Sequence, residues 1–407
     1  MRRAASRLQP ERWEYGSNQI FYKSPVSCRR SRVEFLTSER ITLNKFLPGL
    51  DQSLAGIPFL ERESPQSQAI QYFRDCGGPG LLIPREYAGC GATSVEAIQI
   101  QRAIGARSPS LAVATTMHQF SVVTFVELCR LRKGPEAFLL EAIAREHLLV
   151  ASGFAEGRSG TGMLAATMRA KRVPAGFIVN GSKKPCSLSH SMDLLTASVM
   201  IEPETGADAT LAVLLVPAKS KGIERRRFWS SPILAGAESD EVILTDVTVP
   251  ARLAWVAGET EELDQIQAKG LLWFELLITA SYLGMASALA ERVIAAQRGH
   301  EVDRSLLGIE LEAGMAALEG VAHHLAAGGS GPDLLARMLF VRYAIERAIE
   351  RTTDLAVALL GGMAFSQSAE TSYLLAASRG LAFHPPSRAS VSQSLANYLS
   401  GETIKLP

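Results

Sequence analysis

The chain has 407 residues, 47% of them hydrophobic and 20% charged, with a formal net charge of +1; it is too long for one ordinary core, so two or three packed units of a globular protein are expected. The near-zero charge removes any general electrostatic case for nucleic acid or an anionic membrane as partner. Cys28, Cys76, Cys90, Cys129 and Cys186 form no C-x-x-C pair and leave an odd count, which fits neither a zinc site nor a disulfide framework, so no metal is expected and a reducing cytoplasm is the expected compartment.

Residues 1–32 are Arg-rich but have no apolar segment of the secretory type, and Glu11 and Glu14 argue against an organellar transit peptide. A poorly ordered extension is expected there. From residue 33 to 148 apolar residues recur at three and four spacing, as in VEFLTSERITLNKFL and SVEAIQIQRAIGA, with breaks at Gly77-Gly78-Pro79-Gly80 and Gly134-Pro135; this predicts a helical first domain. From 149 to 255 the period changes to two, in GFIVNGS, DLLTASVMI, TLAVLLVPA and DEVILTDVTVP, which predicts a central β domain. From 256 to 407 the pattern is helical again. LLWFELLITASYLGMASALAERVIAAQ is apolar on every face, so the last helices are expected to pack on one another and on a second subunit. No run of about 18 apolar residues is free of charged or polar interruption, so no transmembrane helix is expected.

The segment Leu149 to Asp193 carries two loops of small polar residues, one around Glu156 and one after Cys186, with a turn predicted at Asn180-Gly181. Loops of this kind bring backbone N–H groups and hydroxyls close to a flat, polar-edged cofactor. GRSGTG lacks the lysine of a phosphate-binding P-loop and the G-x-G-x-x-G register, so no NAD(P)H site is expected. His323-His324 points in two directions about 100° apart on a helix and is not a metal pair.

The order helix, sheet, helix, with these loops, resembles the acyl-CoA dehydrogenase superfamily of flavoproteins over residues 36 to 405. Phe154-Ala155-Glu156-Gly157-Arg158-Ser159-Gly160-Thr161 stands where that family has T-E-P-x-x-G-S-D. Asn180-Gly181-Ser182-Lys183 stands at its N-G-x-K, Cys186-Ser187 at its I-T, ILTDVTVP at its F-x-D-V-x-V-P, Tyr282-Leu283-Gly284-Met285-Ala286 at its Y-L-G-x-A, and Gly361-Gly362 at its paired glycines. The resemblance implies an α+β fold with an N-terminal helical domain, a central β-barrel-like domain and a C-terminal four-helix bundle. It implies FAD, held by Phe154, Glu156, Gly160, Thr161, Cys186 and Ser187, with Ser187 nearest N5. Gly361 and Gly362 would lie at the pyrophosphate or adenosine, a contact that implies a homodimer or homotetramer.

The family's dehydrogenases remove the α-proton of an acyl thioester with a glutamate that must lie within hydrogen-bond reach. After Arg379, where an E-G-T loop is usual, this chain has Gly-Leu-Ala-Phe-His-Pro-Pro-Ser-Arg and no acid. In other members the glutamate lies ten residues before the glycine of Y-L-G. That count reaches Phe274, one residue from Glu275, which sits in an apolar run that would raise its pKa. Glu275 is therefore the expected base of an FAD-dependent oxidoreductase acting on a thioester carried by CoA or a carrier protein, with an electron-accepting flavoprotein or O2 as acceptor. His384-Pro385-Pro386 resembles instead the H-D-P of the family's flavin-dependent monooxygenases, which also carry a histidine near Met117-His118-Gln119. In that alternative His118 and His384 act on a phenolic or amine substrate, since imidazole titrates near neutral pH, and a separate reductase supplies reduced flavin. A third reading is a catalytically idle binding subunit of the same fold.

Overall fold

The computed structural model describes residues 35–132, 136–156, 166–203, 209–256 and 262–404. Residues 1–32, expected to be a poorly ordered extension, lie outside them. Helices come first: α1 (Thr37–Phe46), α2 (Leu50–Ala55), α3 (Phe59–Arg62), α4 (Ala69–Asp75), α5 (Ser94–Arg107), α6 (Pro109–Arg132) and α7 (Glu136–Arg145). The start of α5 is set locally by a capping box. Glu96 N–H donates to the Thr93 hydroxyl at 3.2 Å while Thr93 N–H donates to the Glu96 carboxylate at 2.9 Å, which satisfies two N–H groups that the first turn leaves open.

Among the described residues eight strands follow: β1 (Val150–Gly153), β2 (Arg169–Val173), β3 (Gly176–Cys186), β4 (Leu194–Ile201), β5 (Thr210–Pro217), β6 (Ile223–Arg226), β7 (Asp240–Pro250) and β8 (Ala254–Val256). They form one sheet in the order β6-β7-β3-β2-β4-β5-β8, and β1 pairs with β4 in parallel beside β2. The turn predicted at Asn180-Gly181 is not there. β3 runs straight through it, and the pairing with β7 shifts register between Val179 and Gly181. The side chain of Asn180 explains the shift: it donates to Asp246 Oδ1 at 3.0 Å and accepts from Asp246 N–H at 2.9 Å, stitching a bulge that resembles a turn in sequence.

The last helices are α8 (Glu262–Ala295), α9 (Glu301–Ala326), α10 (Pro332–Gln367), α11 (Ala369–Ser378) and α12 (Arg388–Leu399). Together with the other described elements they belong to one compact unit that spans Leu36–Pro407. By length and composition α6 and α8 are apolar enough to cross a membrane, but 83% and 100% of their most apolar windows are buried inside the protein. Their hydrophobicity is used in the core.

α5 crosses α8 closely, and glycines make the approach possible. A Cβ on Gly284 would lie 2.2 Å from the Arg102 carbonyl oxygen, and one on Gly105 would lie 2.1 Å from that of Ser281. Both clashes are with backbone, so a whole helix must shift to relieve them. Gly284→Ala is therefore expected to destabilise the fold by about 1–3 kcal/mol, the usual range for overpacking, seen as a lower urea midpoint.

Candidate active site

A cavity of about 520 Å³ lies between the sheet and the helices. Met117, Phe120, Phe125 and Leu128 of α6 and Leu271, Phe274 and Tyr282 of α8 form its apolar walls. The sheet side adds Phe154 and Trp229 with the serines Ser152, Ser187, Ser231 and Ser239, and the segment after α11 adds Gly380, Phe383 and His384. Among the described residues that line it there is no Asp, Glu, Lys or Arg. One wall thus offers hydroxyls and the other aromatic and aliphatic surface, and no described lining side chain carries a fixed charge.

Two of the residues expected at the flavin reach this cavity directly. Phe154 packs on Phe120 with ring centres 6.1 Å apart, and Phe120 in turn meets Phe274 edge-on at 5.4 Å. The Ser187 hydroxyl is 3.0 Å from that of Ser239, which precedes β7. Cys186 is buried behind Ser187 and off the wall, and burial pushes its thiol up to about 12.

Glu156 does not line the cavity. Its carboxylate accepts from the buried Lys183 ammonium at 2.6 Å and from Thr167 N–H at 2.9 Å, and the Thr167 hydroxyl also donates to it. Burial opposes ionisation, but Lys183 and Thr167 outweigh it and hold the carboxyl at about 2. Through these bonds it fastens Thr167 to β3. Gly160 and Thr161 lie outside the described residues. Gly361 breaks α10 with φ 84° and ψ 169°, a conformation that favours glycine; neither it nor Gly362 lines the cavity of this chain.

The two histidines separate. Val150 N–H donates to His118 Nδ1 at 3.0 Å, which leaves Nε2 as the donor to the Pro79 carbonyl, also at 3.0 Å. Both ring nitrogens are committed to backbone and the side chain is fully buried, so the acid–base role expected of His118 gives way to a structural one. Burial holds this imidazole down to about 4, against 6.5 for a free one. The unfolded chain therefore takes up a proton near pH 6.5 that the folded chain refuses until about pH 4, and stability falls as pH drops through that window. The loss reaches about 2 kcal/mol at pH 5. A His118→Asn variant, compared with wild type by urea titration at pH 8 and pH 5, should lack that part of the decline.

His384 does line the cavity. Its Nε2 lies 2.9 Å from the Tyr282 hydroxyl, and the Phe274 ring meets it edge-on with centres 6.0 Å apart. Burial, helped by the nearby Arg342 guanidinium, holds His384 at about 3.

Glu275, expected to be the base, is fully buried and off the cavity wall. Its Oε2 accepts from Arg342 Nη1 at 2.6 Å, and its Oε1 has no hydrogen-bond partner among the described residues. Burial pushes its carboxyl up to about 7 in spite of Arg342. The count of ten residues before Gly284 reaches Phe274, and Phe274 is the one that faces the cavity. The single-residue offset turns Glu275 away by about 100°. Arg342 was missed by sequence reasoning, although Leu335, Met338, Leu339, Ile345 and Ile349 are buried around it at helical spacing; a charge on such a face was the available signal.

No protein-family model matches the chain. It is 45% identical over 377 residues to the isobutylamine N-hydroxylase of Streptomyces viridifaciens, covering 91% of this chain and 99% of that protein. This chain belongs to the acyl-CoA dehydrogenase superfamily of flavoproteins. The flavoprotein is also 26% identical over 235 residues to a dibenzothiophene monooxygenase of Rhodococcus erythropolis, 56% of this chain and 55% of that one, and acyl-CoA dehydrogenases match at lower identity. Its fold superposes on FMN-bound TdsC from Paenibacillus sp. A11-2 with a TM-score of 0.77 at 18% identity, over 91% of this chain and 99% of that one. The cavity fits the family's cofactor: serine hydroxyls on one side and the Phe154 and Trp229 rings suit a flat ring with a polar edge. The comparisons favour oxygenation over dehydrogenation, and Glu275, paired and facing away, fits that preference.

Proposed function

We propose that this flavoprotein is a reduced-flavin-dependent monooxygenase that hydroxylates the nitrogen of a small primary aliphatic amine, consuming O2 and reduced flavin and releasing a hydroxylamine, water and oxidised flavin. A separate reductase delivers the reduced flavin. The observation that carries the reading is a cavity wall without a charged side chain among the described residues, set beside the His384–Tyr282 pair. The Streptomyces relative, matched almost from end to end, supports the choice of an amine.

When bound, reduced flavin supplies two electrons and activates O2. Ser187, Ser239 and Ser152 would hold the polar edge of the ring, with Phe154 and Trp229 beside it. The rest follows from the chain's own residues. An alkylammonium entering this wall loses its hydration and meets no described carboxylate in exchange, so the neutral amine is favoured. The neutral form is also the one with a lone pair, which nitrogen hydroxylation requires. The Tyr282 hydroxyl, hydrogen-bonded to His384 Nε2, keeps an oxygen lone pair that accepts from the amine N–H and orients it, and Phe120, Leu271 and Phe274 exclude water around the alkyl chain.

The test supplies FMN or FAD, a generic flavin reductase, ¹⁸O2 and amines of three to six carbons. Hydroxylamine carrying one ¹⁸O is expected. Absence of any oxygenated amine, together with anaerobic bleaching of bound flavin by an acyl-CoA, would return the assignment to thioester dehydrogenation.

A further inference from the structure

The segment from Gly380 to Pro386 carries His384 to the cavity; its first residues belong to a 3-10 helix over Arg379–Phe383, and His384 to Pro386 follow outside any helix or strand. That short helix ends where His384 N–H donates to the Leu381 carbonyl at 3.2 Å. What holds it comes from α10 and α8. Arg342, with no exposed surface, donates from Nη2 to the carbonyls of His384 at 2.6 Å and Leu381 at 3.0 Å, and from Nη1 towards that of Pro385 at 3.4 Å. The adjacent Tyr343 hydroxyl donates to the Pro386 carbonyl at 2.8 Å. From the other side Tyr282 meets His384 Nε2 and presses on Gly380, where a Cβ would lie 2.5 Å from its hydroxyl oxygen.

A buried ion pair is a poor device for stability alone, because desolvation of both charges offsets most of the attraction. A guanidinium is, however, a rigid planar fork with five N–H donors that serves a carboxylate and several carbonyls in fixed directions, which the three rotating donors of a lysine do not reproduce. We propose that Arg342 is a positioning residue, setting the His384 imidazole against the cavity through the carbonyls of Leu381, His384 and Pro385, with Glu275 as its counter-ion. This rests on the oxygenase reading above and on His384 facing the amine in it. It also gives Glu275 a role without contact to substrate.

The expected signature is uncoupling. With His384 displaced, O2 still oxidises the reduced flavin, but the products are H2O2 and oxidised flavin in place of hydroxylamine. In Arg342→Lys, and in the double variant Arg342→Met with Glu275→Leu, hydroxylamine formed per flavin oxidised should fall about 10- to 100-fold and H2O2 should rise to match. Flavin oxidation itself should keep its rate, and KM for the amine should stay within about threefold. The double variant leaves no buried charge without its partner but takes the donor from the carbonyls of Leu381, His384 and Pro385, so its thermal midpoint should fall modestly while unfolding stays cooperative, which separates positioning from loss of the fold. Arg342→Lys decides the matter if the double variant does not fold. A well-folded variant that stays fully coupled overturns the inference. His384→Ala keeps the two readings apart: if it uncouples while the Arg342 variants do not, only the positioning role fails, and if it stays coupled, the role of His384 fails first.

Discussion

Lys183→Met is expected to lower the stability of the folded chain by about 3–5 kcal/mol at neutral pH, the range for removing one partner of a buried ion pair. Lys183 has no exposed side-chain surface, and its ammonium serves Glu156 at 2.6 Å and the Ser198 hydroxyl at 3.0 Å. A methionine keeps the stem and removes the donor, so a carboxylate with only 6% of its side chain exposed loses its cation. The pH dependence identifies the cause. In the wild type the Glu156 carboxyl is held at about 2, below its unfolded value of about 4.3; the stabilisation from ionised Glu156 is therefore complete above that value and is lost as pH falls towards 2. The gap between wild type and Lys183→Met, measured by denaturant titration, should close over that acid range as Glu156 protonates. A gap that stays constant would mean that the loss is one of packing. A second variant, Lys183→Met with Glu156→Leu, should recover much of the difference.

This pair shows what was legible in the sequence and what was not. The helix, sheet, helix order follows from the period of apolar residues, three and four spacing up to residue 148, two from 149 to 255 and helical again from 256, and such long patterns survive most local detail. Phe154 and Ser187, expected at the flavin from the loop motifs of the resemblance, line the cavity. Glu156 and His118 looked the same in the sequence as residues that touch a cofactor, yet each has its polar atoms taken by partners from distant segments, Lys183 in one case and Pro79 and Val150 in the other. No local pattern reports such pairings. The offset between Phe274 and Glu275 is a matter of helix phase, which motif counting approaches only to within a residue. Arg342 joins segments about 40 residues apart, and its carbonyl partners carry no side-chain signature.

The remaining large effect concerns the charge of the substrate. For a small primary aliphatic amine, kcat/KM for hydroxylamine formation is expected to rise about tenfold per pH unit between pH 6.5 and 8.5, because an amine that titrates like lysine, near 10.4, is neutral in only a small and tenfold-growing fraction there. The described wall gives no reason for the profile to bend earlier. His384, held at about 3, stays neutral throughout, as does Tyr282, whose hydroxyl burial pushes up. A carboxylate placed on this wall should reverse the preference. Phe274→Glu would put an anion where Phe274 now meets the rings of Phe120 and His384; the ammonium form would then bind, the lone pair would be held by its proton, and hydroxylation should fall by about a hundredfold or more. Amine binding, followed by titration in the absence of reductant, should become tighter at pH 7 as turnover collapses. A wild-type profile that is flat from pH 6.5 to 8.5 would mean that the ammonium enters and gives up its proton inside the cavity, and the absence of charge among the described lining residues would then no longer explain the choice of substrate.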